Sequence, residues 1–181
     1  MAGLFDLEHH LIFYRSYHFN STNVAIHLVC IPIILFTAIS FLSLINFPSI
    51  SSNDYFNFGN IVAWIYGLYY IALDWKLGIP SASILISFGY FIKRVYLSLD
   101  SVDQDNFLKF TIGLHILSWI AQFYDNLLGA IVLAPFFTVF EFAFYSGFRL
   151  DVKRKMDNEA AKNIRDFKAR EKAKKAGVKA N

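Results

Sequence analysis

The stretch Tyr14-Arg-Ser-Tyr-His18-Phe-Asn20-Ser-Thr-Asn23-Val-Ala-Ile-His27-Leu-Val-Cys30-Ile-Pro32 opens a long apolar run. From Ala25 to Asn53 there is no Asp, Glu, Lys or Arg. As a helix rising about 1.5 Å per residue, such a run is long enough to cross a bilayer core of about 30 Å. Asn20-Ser-Thr-Asn23 is a helix-start signal, because these side chains accept from free backbone N–H groups. The first span is therefore expected over Val24 to Asn46, with a kink at Pro32. His18 and His27 stand at its entrance. An imidazole there is costly without a partner, so the pair raises a functional-site hypothesis.

The rest of the chain extends the same pattern. It has 181 residues, 56% of them hydrophobic, with 20 Phe and 10 Tyr. Soluble domains run at roughly 45–50% apolar. The excess lies between residues 24 and 148, which indicates an integral membrane protein. Further apolar runs are expected as spans at Tyr55 to Leu73, Leu77 to Ile92, Phe107 to Tyr124 and Leu127 to Phe148. The second and third are separated by Asp74-Trp75-Lys76, which suits a tight hairpin or a re-entrant pair. Lys93-Arg94 and Asp100 to Asp105 read as a polar loop. The fold class expected is all-α, a multi-pass bundle of four to five hydrophobic helices.

Three segments result. Residues 1–23 form an amphipathic N-terminal segment, with Leu4, Leu7, Leu11 and Tyr14 at helical spacing. Residues 24–150 form the transmembrane domain. Residues 151–181 form a basic tail with 11 Lys or Arg against 5 Asp or Glu, read as a solvated helix and cytosolic by the positive-inside rule. No cleavable signal peptide is expected, since Met1 to Asn20 lacks a basic start followed by an apolar run. Cys30 is the single cysteine, which excludes an intramolecular disulfide.

Candidate chemistry rests on few residues. Adjacent His9 and His10 point in different directions on a helix and read as surface histidines. Asn23 and His27 share one face at i and i+4, so the asparagine could orient the imidazole. His115, Ser118, Trp119 and Gln122 share another face, within an apolar run. Glu141 sits in the fifth run, where a buried carboxylate needs a cation, a metal or a donor. A His115–Glu141 hydrogen bond is the bland reading, and metal chemistry the sharp one. The chain has no glycine-rich phosphate loop, no CxxC pair, no GxSxG elbow and no HxxxH or HxxHH box. The last absence argues against the membrane di-iron hydroxylases.

Together, Tyr14, Tyr17, His18, Asn20, Asn23, His27 and Pro32 resemble the opening signature of the 2-hydroxy fatty acid dioxygenases. His115, Trp119, Gln122 and Phe123 resemble the second signature, followed by Asp125-Asn126-Leu127, Ala134-Pro135-Phe136 and Glu141. One departure is large: after Phe123 the family's G-H-x-x-F-E-x-R-x-P-A-L segment is missing, with a histidine that the resemblance makes an iron ligand.

The resemblance implies an endoplasmic-reticulum membrane enzyme using Fe(II) and O₂. It would remove C1 of a long-chain 2-hydroxy fatty acid, giving the acid one carbon shorter, as in phytosphingosine breakdown. It further implies His18, His27 and His115 as metal ligands, Asn20 and Asn23 as orienting residues, and Glu141 as a further ligand or its hydrogen-bond partner. Two alternatives stay open at this point: a non-catalytic membrane scaffold with an incomplete metal site, and haem held between His27 and His115.

Overall fold

A computed structural model describes residues 6–17, 21–47, 52–122 and 134–178. These form seven helices: α1 (Leu7–Tyr17), α2 (Ser21–Leu42), α3 (Phe58–Leu73), α4 (Trp75–Ser98), α5 (Ser101–Gln122), α6 (Ala134–Tyr145) and α7 (Leu150–Val178). Among the described residues there is no strand, only an isolated bridge between Asn46 and Asn57. The all-α expectation holds. Val24–Leu42 and Trp75–Ser98 are long and apolar enough to cross a membrane, while α3 and α6 are shorter apolar helices.

The α3–α4 hairpin turns on one residue. Asp74 has φ −154° and ψ 105°, which ends α3 and starts α4. Its backbone N–H donates to the Tyr70 carbonyl at 3.1 Å. Its Oδ1 accepts from the backbone N–H groups of Lys76 and Leu77 at 3.0 and 3.1 Å. One side chain thus caps the orphan donors of α4. Its Oδ2 pairs with Arg149 Nη1 at 2.6 Å, which ties the hairpin to the start of α7. Two helices joined so tightly need small residues at their contact. A Cβ on Gly78 would lie 2.3 Å from the Tyr70 carbonyl oxygen, so only glycine permits that approach.

Two charged stretches read as loop are helical instead. Lys93 lies inside α4 and is 2% exposed. Its Nζ donates to the Ser43 carbonyl at 3.0 Å and to Asn46 Oδ1 at 3.1 Å, just beyond the end of α2. A cation there meets orphan carbonyls and the negative end of the helix dipole, which explains why the helix continues through it. Asp100 N-caps α5, its Oδ1 accepting from Val102 and Asp103 N–H at 2.9 Å each. The acidic stretch after it is therefore the first turn of a helix.

α5 lies antiparallel on α2, with His115 opposite Thr37 and Gln122 beside Cys30. α6 has buried residues on every side, including Phe136, Phe137, Phe140 and Phe144, as expected of a helix apolar all round. Its 12 residues rise only about 18 Å, less than a bilayer core. The Tyr124-Asp125-Asn126 turn and the start of the fifth run lie outside the described residues.

The tail reading needs correction. α7 is helical as expected, but its first half is not merely solvated. Met156 and Ala160 are buried together with Leu11 and Tyr14, and α1 packs on α7. Lys155–Glu8 at 2.7 Å and Arg15–Asp157 at 2.8 Å flank that seam. The exposed Lys155–Glu8 pair adds little beside apolar burial.

Gly78→Ala is expected to destabilise the chain strongly, since the new methyl meets backbone. Gly113→Ala adds a Cβ with nothing within 4 Å of it, and should be neutral or stabilise by up to about 1 kcal/mol. Thermal unfolding of both variants in detergent tests this contrast.

Candidate functional site

Two polar constellations face the bundle interior, at different depths along α2. The first is centred on His115. Trp119 Nε1–H donates to His115 Nε2 at 3.0 Å. Thr37 Oγ1 lies 2.9 Å from His115 Nδ1. With Nε2 accepting, the neutral ring carries its proton on Nδ1 and donates to Thr37. The Thr37 hydroxyl in turn donates to the Ile33 carbonyl at 2.6 Å. The ring also meets Phe41 edge-on at a centroid distance of 5.1 Å. Both ring nitrogens of His115 thus have a partner, which fixes the tautomer and the ring plane.

Beside this ring is a cavity of about 210 Å³ between α2, α5 and the start of α6. Its walls are mostly Ile31, Ile34, Leu35, Ala38 and Pro135, with His115, Trp119 and Gln122 along α5. Gln122 is 7% exposed. Its side chain lies beside the Cys30 thiol, and its Nε2 makes no hydrogen bond. Ser118 is buried on the same helix.

The second constellation joins α1, α6 and α7. Glu141 is buried, and its Oε1 lies 3.7 Å from Arg15 Nη1, an ion pair longer than a hydrogen bond. Arg15 Nε donates to Asp157 at 2.8 Å. The Tyr14 ring packs on Phe137 at 4.6 Å. Burial, with the Glu141 charge adding to it, holds the Tyr14 hydroxyl well above the usual phenol range, so it is protonated throughout the physiological range. His27 is buried in the N-terminal half of α2, at 1% exposure. Glu141 lies on α6, which packs on α2.

The fold therefore separates residues that the sequence groups together. His27 and Thr37 are ten residues apart on α2, about 15 Å along its axis. His115 sits on Thr37, so it is at the far level from His27. Two imidazoles on one ion need metal–nitrogen bonds of about 2 Å each. That distance disfavours one ion, or one haem iron, between His27 and His115, and both nitrogens of His115 are already engaged. Among the described residues no group of three His, Cys, Asp or Glu side chains could hold a metal ion. Of the three histidines read as iron ligands, the described residues include two, His27 and His115, and these stand at different levels of α2. Nor is there a His115–Glu141 hydrogen bond: α6 packs on α2 and α4, and Glu141 meets Arg15. His18 and Asn20 lie outside the described residues, as does the Asn23 side chain.

Sequence reasoning missed Thr37 and Arg15. Thr37 had a usable signal, as one of few polar groups in the uncharged run. Arg15 had none, because its partners come from α6 and α7.

Comparison with known proteins adds the remaining observation. Residues 4–148 match the family described as Mpo1-like, 2-hydroxy-palmitic acid dioxygenase Mpo1-like. The chain belongs to this family. Within curated proteins it is similar to the 2-hydroxy-palmitic acid dioxygenase MPO1 of Saccharomyces cerevisiae. The two are 30% identical over 173 residues, covering 87% of this chain and 91% of the yeast protein. No solved structure matches. The residues that resemble the family signatures include Tyr14 at one constellation, His115, Trp119 and Gln122 at the other, and His27 in the first half of α2.

Thr37→Val is expected to remove the His115 Nδ1 partner, at a cost of about 1–3 kcal/mol for an unmade buried hydrogen bond. In ¹⁵N-imidazole NMR, the wild type should show a protonated Nδ1 and an accepting Nε2, and Thr37→Val should disturb that pattern.

Proposed function

We propose that this chain removes C1 of long-chain 2-hydroxy fatty acids by oxidation with O₂, giving the acid one carbon shorter. The observation that carries this reading is family membership over residues 4–148, with a relative named for action on 2-hydroxy-palmitic acid. The reaction balances with no further reductant: R–CH(OH)–COOH and O₂ give R–COOH, CO₂ and water. An apolar cavity edged by a few polar groups suits an amphiphile.

The setting in this proposal is the endoplasmic-reticulum membrane, with α2 to α5 crossing it and α6 buried at part depth. That keeps four of the four to five spans. Exposed Trp64, Ile65 and Leu68 on α3, Ile84 and Phe91 on α4, and Phe110, Leu117 and Ile120 on α5 support it. Apolar side chains exposed on so many helices would be a liability in water. The basic α7 would face the cytosol.

Fe(II) belongs to the proposal as the cofactor that the resemblance implies, at the His27 end and not between His27 and His115. His18 and His27 are the ligands proposed there, with Asn20 and Asn23 orienting them and Glu141 as a further ligand or hydrogen-bond partner. His115 takes a positioning role beside the cavity. The missing G-H-x-x-F-E segment and the separation of His27 from His115 favour a second reading, a non-catalytic scaffold.

One experiment separates them. The protein is purified in detergent without oxygen, its iron is measured, and 2-hydroxypalmitate and O₂ are added. Formation of the C15 acid is expected. His27→Ala should lose iron and product together, while His115→Ala should keep its iron. A folded chain with neither iron nor product would leave the scaffold.

A further inference from the structure

Two cavities meet at the start of α6. The cavity beside His115 measures about 210 Å³. A second, about 350 Å³, lies between α2, α4 and α6. Leu35 and Pro135 line both, so these two side chains stand between them. The second cavity is almost wholly apolar, and its Ile84 and Phe142 are more than half exposed. It opens sideways on the bundle. Small-molecule sites run at roughly 300–1,000 Å³. The inner cavity alone falls below that range, and the joined pair falls within it.

The inner cavity has a direction. It extends from Ile31 to Ala38 along α2 and from Gln122 to His115 along α5, about 10 Å of helix. At the His115 end the polar atoms satisfy one another through Trp119 and Thr37. At the other end Gln122 Nε2 is a buried donor without a partner. Gln122 touches Cys30, which is one turn from His27 on α2. The open donor is therefore at the end nearer His27, and the hydrocarbon walls run away from it. A polar ligand along those walls would leave its own groups unpaired. An alkyl chain would not.

We propose that the two cavities form one acyl-chain site, with the Leu35–Pro135 pair as its internal narrowing and the Gln122 amide as its polar end. This rests on the fatty-acid reading above and deepens it. Gln122 donates to an oxygen at the acid end of the ligand. Ala38 closes the far end of the inner cavity, so a long chain bends past the Leu35–Pro135 narrowing into the second cavity. The lateral opening at Ile84 and Phe142 is the entrance from lipid.

The test uses Trp119, which lines the inner cavity. The full chain carrying Trp64→Phe and Trp75→Phe is placed in lipid nanodiscs and titrated with 9,10-dibromo-2-hydroxystearate. Saturable quenching of Trp119 is expected, displaced by 2-hydroxypalmitate and not by 2-hydroxyhexanoate. Ala38→Phe should weaken it about tenfold, corresponding to about 1.4 kcal/mol. Ile34→Phe fills the same cavity and serves if the first variant fails to fold. Gln122→Leu should keep the quenching and lose discrimination between the acid and its methyl ester. Quenching that rises linearly with bromolipid content, or is unchanged in both filled variants, overturns the site. Product formation is read separately. Saturable, length-dependent quenching without product keeps the acyl site and sinks the dioxygenase reading. Product with a chain-length preference unaltered in folded Ala38→Phe and Ile34→Phe overturns the acyl site alone.

Discussion

The carboxylate of Asp74 carries much of this architecture. It ends α3, caps α4 and pairs with Arg149 at 2.6 Å. The two caps hold α3 and α4 in a tight hairpin, where Gly78 packs against the Tyr70 carbonyl. The ion pair then fixes where α6 ends and α7 begins. That position lets α7 lay Met156 and Ala160 against α1. A buried Asp is stable here because each of its oxygens has a donor. Removing one partner from such a pair costs about 3–5 kcal/mol.

At the other end of the hairpin, Lys93 plays the complementary part. It is a buried cation on the carbonyls that follow α2. Acid at helix starts and base at helix ends is what unpaired N–H and C=O groups require. These two side chains brace opposite ends of one apolar bundle, whose middle is left to aromatic packing such as Tyr70 on Phe136 at 4.5 Å.

The functional residues are distributed along this frame in two levels. Tyr14, Arg15 and Glu141 meet where α1, α6 and α7 come together, and His27 is buried in the first half of α2, while His115, Thr37 and Trp119 are about 15 Å further along α2 from His27. Among the described residues, His27 and His115 therefore do not face each other across one site. A polar end at His27 and an apolar cavity toward His115 is one arrangement suited to a molecule with a polar head and a long chain. The His115 ring then serves the cavity wall through its fixed tautomer.

Much was legible before any fold was known. Uncharged runs and the helical spacing of His115, Trp119 and Gln122 depend only on local backbone periodicity, and the described ones are helical as read, although α2 takes in Ser21 to Asn23, read as its start signal, and ends at Leu42 and not Asn46. The family signatures, too, are written in order along the chain. The helical states of Lys93 and of the stretch after Asp100 were not legible, because a charge in a helix is tolerated only when a partner from another element meets it. The pairing of Glu141 with Arg15, and not with His115, was decided by which helices pack together. By itself the sequence determined the helices, their apolar faces and the kinship, since those follow from spacing along one chain. Only the tertiary structure decided which polar groups share a level, because that depends on the register between helices, which no single helix carries.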